Sequence, residues 1–238
     1  HSAQIPHYKT MNSPIAIIYA RSPQHAFETL AKRFKVIPFL AENTTYAAIV
    51  GHPDVFISQG DTTVIAPNTP ENVRKHIPSF LVGTTPVGSS LQDSTPYNCV
   101  VTETYIIHKH GFTDKKILEQ NPNKTYISVP QAYTRCNLME IAPNVFITSD
   151  KGIHNVLTQN NLECLFVHPE DIELPPHKYG FIGGCMGKFD NTIFINGSLS
   201  THSEGEIIRS FIKKHSLEMV ELHDGNLYDG GGIIFISR

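Results

Sequence analysis

The stretch that decides the fold runs from residue 183 to residue 226, GGCMGKFDNTIFINGSLSTHSEGEIIRSFIKKHSLEMVELHDGN. It reads as one small closed unit. Glycines at 183, 184 and 187 open it, and a β-branched and aromatic run follows at 191–196 (NTIFIN). From about Ser203 to His215 the apolar residues Ile207, Ile208, Phe211 and Ile212 recur at three- and four-residue spacing, which predicts an amphipathic helix. A short apolar strand at 217–222 (LEMVEL) completes the unit. One such unit cannot bury its own apolar face, so copies of it are expected beside it.

Copies are legible on the N-terminal side. Residues 135–169 carry NVFITS and LECLFV, which match NTIFIN and LEMVEL around a second helical segment, with Asp150 placed to cap it. Residues 98–130 give a leading strand, a TYIIH strand, a helix from about Thr113 and a KTYISV strand. A further unit has a leading strand at 46–51 (YAAIVG), a hairpin turn at Gly60-Asp61, a short helix from Thr69-Pro70-Glu71 and a closing strand at 79–82. The first unit has a strand at 14–20, a helix to about Phe34 with Ser22 as cap and Pro23 at its first position, and a strand at 35–40. Pro38 suits that last strand to a sheet edge.

The first unit lacks a leading strand, whereas the C-terminal strand at 229–238 (DGGGIIFISR) lacks a helix. If the second fills the place of the first, the chain closes into a ring of five ββαβ-like units. A solenoid needs no closing strand, and a propeller blade lacks the helix. The expected architecture is therefore α/β, one domain over 14–238, with the polar 1–13 as a loose arm or an expression remnant. Residues 83–96 (GTTPVGSSLQDSTP) are the most loop-like part of the chain, with a lid and a plain surface excursion both open.

Of 238 residues, 40% are hydrophobic and 17% charged, as in an ordinary soluble globular protein. A formal net charge of −3 gives no electrostatic reason to expect nucleic acid or an anionic membrane as partner. The apolar runs are strand-sized, too short to cross a bilayer. The cysteines at 99, 136, 164 and 185 form no CxxC pair, which fits reduced thiols and a cytoplasmic location. Thirteen histidines without an HExxH pattern give no metal site, and no cofactor is expected. The Gly-rich segments lack the Lys-Ser/Thr ending of a phosphate-binding loop, and no helix follows Gly230 to Gly232 as a dinucleotide fingerprint requires.

Five units of this kind resemble the pentein fold of guanidino-group-modifying enzymes, which includes deiminases, dimethylarginine hydrolases, amidinotransferases and a non-catalytic ribosome anti-association factor. More closely, HPDVF, YTRCN, SDKGI and YGFIGG look like an uncharacterised bacterial family assigned to that fold. The resemblance implies a pseudo-fivefold ring with a site at the mouth of a central channel. It also implies a Cys nucleophile, a His acid/base and carboxylates gripping a guanidinium. That chemistry is coherent. A guanidinium carbon is a poor electrophile and needs a thiolate and a protonated leaving amine, while carboxylates orient the planar group by paired charge-assisted hydrogen bonds.

On that resemblance His52-Pro53-Asp54 is similar to the H-x-D segment of the deiminases, although there it lies in a later unit. A His-Pro turn with Asp54 capping backbone amides is the other reading. Cys99, Cys136 and Cys185 stand near the heads of units, and Cys164 reads as core. Arg135 beside Cys136 could favour a thiolate, and Cys185 lies in a Gly-rich loop. Asp229 could bind a cation or serve as an ordinary turn residue. Where the enzymes carry their nucleophile shortly after a GGG turn, this chain has Phe235 and Ile236, and a hydrocarbon cannot attack.

Two functions are expected from these residues. The first is a divergent guanidino- or amidino-group hydrolase or transferase with His52, Asp54 and Cys136 or Cys185 in catalysis. Asp54, Asp229, Arg135 and Asn98 would then contact the substrate. The alternative is a non-catalytic binder of a small cationic ligand or a protein. The two separate on whether a thiol, His52 and a carboxylate meet in one pocket.

Overall fold

The computed structural model describes residues 13–238, so all but the last residue of the expected N-terminal arm lies outside the described residues. In chain order the elements are β1 (Ile15–Tyr19), α1 (Gln24–Ala31), β2 (Lys35–Phe39), α2 (Pro53–Phe56), β3 (Ile57–Ser58), β4 (Val64–Ile65), α3 (Glu71–Arg74) and β5 (Leu81–Val82). Then come α4 (Leu91–Ser94), β6 (Val100–Val101), β7 (Tyr105–His108), α5 (Lys115–Gln120), β8 (Thr125–Ser128), β9 (Leu138–Ala142), β10 (Val145–Thr148), α6 (Lys151–Gln159) and β11 (Glu163–Phe166). The chain ends with β12 (Met186–Phe189), β13 (Thr192–Ile195), α7 (Gly205–Lys214), β14 (Glu218–Glu221) and β15 (Ile234–Ile236).

Among the described residues these strands form five three-stranded sheets of one pattern. In each, a leading strand pairs antiparallel with a central strand, and a helix carries the chain to a closing strand parallel to the central one. A tight turn suffices for the antiparallel step, whereas the parallel step needs a crossover. The first sheet takes its leading strand from the other end of the chain, with β15 antiparallel to β1 and Ile15 opposite Ile236. The leading strands also touch one another: β12 packs on β9 and β15, and β6 on β9. Gln59 Nε2, just after β3, donates to the Phe235 carbonyl of β15, and Ser58 Oγ lies 3.4 Å from the Cys99 sulfur beside β6.

The helices carry the core. α7 buries Ile208 and Ile212 while Ile207 stays 54% exposed, so the expected apolar stripe is narrower by one residue. Asp150 caps α6 by accepting from Ile153 N at 2.8 Å, and Asp114 caps α5 from Lys116 N at 2.9 Å.

Several boundaries differ from the sequence reading. Residues 46–51 are turns, not a strand, because Ile49 N and His52 N bond carbonyls three residues back. The leading strand of that unit is β3, and HPDVF becomes the short helix α2 with Pro53 at its first position. Ser22 does not cap α1; Pro23 holds the cap position. Residues 229–233 are not strand, since Gly231 and Gly232 turn with φ of +77° and +74°. The 83–96 segment contains α4, capped by Ser90, and is pinned where Thr84 and Thr85 donate to the Asp114 carboxylate.

Candidate functional site

Four segments that precede leading strands meet at one place: His52 with α2, the 3-10 turn Arg135–Asn137, the 3-10 turn Gly183–Cys185, and the glycine turn after Asp229. Their backbones are cross-bonded. Asp54 N donates to Gly231 O at 3.1 Å, and the amides of Gly230 and Gly232 both donate to Gly184 O. Glycine is required at 231, where an added Cβ would stand 2.3 Å from His52 Cβ and φ is positive.

Here lies a front cavity of about 690 Å³ whose wall includes His52, Cys136 and Asp229. The rest of its wall is mostly apolar and aromatic, from Ile49, Val55, Leu91, Tyr133, Leu174 and Phe181. The requirement that a thiol, His52 and a carboxylate share one pocket is met with Cys136.

His52 is 3% exposed, with Nδ1 3.8 Å from Asp229 Oδ1 and no hydrogen-bond partner on Nε2. Burial drops its pKa to about 3, so the ring is neutral near pH 7. Asp229 accepts from Phe181 N and Gly231 N, both at 3.1 Å. Burial, followed by the neighbouring Asp54 carboxyl, still raises it to about 8, against the pull of those amides and of Arg135. Burial likewise pushes the Cys136 thiol well above its ordinary value, and Asp54 and Asp229 add to the shift while Arg135 opposes it. Burial thus favours a thiol, a neutral imidazole and the protonated form of the Asp229 carboxyl.

The other expected residues fall elsewhere. Asp54, 1% exposed, does not line the front cavity; it borders a separate rear cavity of about 200 Å³, walled by residues of all five leading strands or their flanks. Burial raises its pKa to about 6. The expected capping role is absent, because neither carboxylate oxygen has a hydrogen-bond partner. Asn98 is a brace and not a ligand contact: its Nδ2 donates to Asp54 O at 3.0 Å and its Oδ1 accepts from Cys136 N at 3.3 Å. Arg135 is also committed to the frame, donating to the carbonyls of Gly183 at 2.7 Å and Met186 at 3.0 Å, while one side borders the rear cavity.

Cys185 is corrected outright. Its side chain is 0% exposed in an apolar cluster with Ile182, Met186 and Ile193, so it is core and has no access to the front cavity. Phe235 is core as well, its ring packed against Phe34, Phe189 and Phe194. All four cysteines are free thiols. Among the described residues no cluster of three His, Cys, Asp or Glu is placed to hold a metal. His108 spends both ring nitrogens on Thr113 and the Ala132 carbonyl.

Sequence reasoning missed the apolar wall, chiefly Tyr133 and the segment from Leu174 to Phe181. Pro175-Pro176 before YGF was its available signal, a loop held stiff. It also missed Gln59, Glu140 and Lys188 of the rear cavity, which read as ordinary outward positions of short strands.

The fold defines the class. The chain has the pentein fold, with two solved structures superposing over nearly all of it. One is the agmatine deiminase of C. jejuni, with a TM-score of 0.61, 9% identity, and coverage of 95% of this chain and 94% of that one. The other is a dimethylarginine dimethylaminohydrolase variant in adduct with S-methyl-L-thiocitrulline, with a TM-score of 0.53, 9% identity, and coverage of 93% and 94%. No curated protein matches. Within that fold the chain belongs to a family described as a family of unknown function (DUF6873), which it matches over residues 17–234. Among the described residues no helix is long and apolar enough to cross a membrane.

Proposed function

We propose that the chain is a divergent guanidino- or amidino-group hydrolase or transferase, with the front cavity as its site. The observation that carries this reading is the meeting of Cys136, His52 and Asp229 in one wall. In this reading the five sheets form one domain closed as a pseudo-fivefold ring, which the contacts between successive leading strands support.

The ligand head is a planar cation. Its arrival would favour the ionised Asp229, reversing the effect of burial, and would lower the thiol pKa in the same step. The Cys136 proton passes to His52, and the sulfur bonds to the amidino carbon. His52 then returns the proton to the departing nitrogen, which leaves as amine or ammonia. Water, or an acceptor amine in a transferase, adds to the same carbon with loss of its proton to His52, and the thiol leaves reprotonated. The buried Nε2, which has no hydrogen-bond partner, is the atom this reading assigns to these transfers.

The test is release of ammonia or amine from a panel of guanidino and amidino compounds. Activity lost in both Cys136→Ala and His52→Ala, and kept in Cys185→Ala, would support the reading. Turnover that survives Cys136→Ala would overturn it.

The second reading, a non-catalytic binder of a cationic ligand, is favoured by the hydrocarbon at 235–236 and by the high thiol pKa. Calorimetric binding without turnover, unaffected by Cys136→Ala and lost in Asp229→Asn, would establish it instead. Alkylation separates the two directly. In the hydrolase a guanidino ligand should speed modification of Cys136 between pH 5 and pH 9, and in the binder it should only shield it.

A further inference from the structure

The rear cavity holds acceptor atoms that the protein leaves without donors. Both carboxylate oxygens of Asp54 and Oε2 of Glu140 are buried and have no hydrogen-bond partner. Asp54 is 1% exposed and borders this cavity, so its orphaned oxygens cannot be satisfied by bulk water. Arg135 lies in the same wall but gives two guanidinium nitrogens to backbone carbonyls, and Lys188 pairs with neither carboxylate within hydrogen-bond reach. A buried acceptor left unmade is costly, so an occupant that donates is favoured over one that accepts.

The outer end carries the same bias. A more open depression beside the cavity shares Gln59, Val101 and Glu140 with it and adds Asp61 and Glu103. Asp61 is tied to Lys124 Nζ at 3.0 Å, and Glu103 adds a carboxylate beside Glu140, whose nearest opposing charge is Lys188. Acidic side chains around an opening raise the local concentration of cations.

We propose that the rear cavity is a second binding site, for a small hydrogen-bond-donating cation of the ammonium or primary-amine class, gripped by Asp54 and Glu140. Its volume of about 200 Å³ admits such an ion with a few waters and excludes larger guests. Burial has raised Glu140 to about 7 and Asp54 to about 6, and a bound cation would favour the ionised form of both. The site stands on residues separate from His52, Cys136 and Asp229, so it does not depend on the reading of the front cavity.

The experiment is thermal unfolding of the full chain in ammonium, methylammonium, sodium and tetramethylammonium chlorides at equal ionic strength. A saturating donor cation should raise the midpoint over sodium by about 3 °C. Tetramethylammonium has no N–H and should give no rise. The ammonium increment should vanish in Glu140→Gln and in Val101→Met, which narrows the cavity without altering a charge. If Glu140→Gln fails to fold, Val101→Met carries the comparison alone. Four equal midpoints would mean water is the only occupant and would overturn the proposal. An ammonium increment retained in full by the variants would place the cation elsewhere and would overturn it too.

Discussion

Cys136 and Cys185 occupy neighbouring positions of two matching turns, and only Cys136 borders the front cavity. Each turn is a 3-10 helix running straight into a leading strand, Arg135–Asn137 into β9 and Gly183–Cys185 into β12. Counted back from the strand, Cys185 is the last residue and Cys136 the last but one. At three residues per turn, one step swings a side chain by about 120°, which separates cavity from core. Cys99, the last residue before β6, shares the position of Cys185 and is also buried. The position of Cys136 is taken by Asn98 in the third unit and by Gly184 in the fifth. Asn98 braces the frame, and the missing side chain of Gly184 leaves room for the Asp229 carboxylate. Distance from the strand start, and not closeness to a Gly-rich loop, sorts which of these side chains border the front cavity; Cys99 instead borders the rear one.

The hardest way to break that pattern is Gly184→Ala. Its Cβ would stand 1.7 Å from Asp229 Oδ1, a short buried side chain anchored by two backbone amides. A loss of about 3 kcal/mol or more in denaturant unfolding is expected, because the carboxylate has nowhere to retreat. A loss under 1 kcal/mol, itself a small effect on the scale of point mutations, would mean that the turn is looser than described.

A middling effect should come from pH. Asp229 is raised to about 8 in the folded state from 3.8, so its contribution is full below about pH 4 and is lost as pH rises to 8, by about 1.4 kcal/mol per unit at most. His52 is lowered to about 3 from 6.5, so its contribution is full above about pH 6.5 and is lost as pH falls towards 3. The two oppose each other between pH 4 and 6.5. Asp229→Asn should flatten the alkaline limb of a stability–pH curve, and His52→Gln the acid limb. If each variant leaves its limb unchanged, the buried pair does not set the profile.

The smallest effects sharpen the contrast most. Cys185→Ala should cost about 1 kcal/mol through the cavity it leaves, without touching turnover or ligand binding. Cys136→Ala should cost less, since the sulfur already borders a cavity, and should remove any turnover.

Much of the fold was legible because strand and helix periods repeat through the last three units. NTIFIN, NVFITS and TYIIH are central strands, and three- and four-residue spacing marks α7. The second unit misled because Tyr46 to Gly51 is apolar in order to wall the front cavity, and not in order to pair. Of the site, His52 and Asp229 were legible as polar residues at unit heads. The sorting of the cysteines was not, because strand starts are set by hydrogen-bond register and a one-residue error turns a side chain to another face. Asp54 was misplaced for the same reason. Inside α2, two residues beyond His52, it faces the far side of the same wall.

The pairing of β15 with β1 has a bearing on how the chain is made. A ribosome makes β1 and β2 well before β15, so until β15 is made β1 has β2 beside it and an open edge on its other side. Of the five sheets, the one whose central strand comes first in the chain is completed last, and only once β15 leaves the exit tunnel. A ladder between strands so far apart in sequence makes a slow step, which a helper that shields an unpaired strand would serve well.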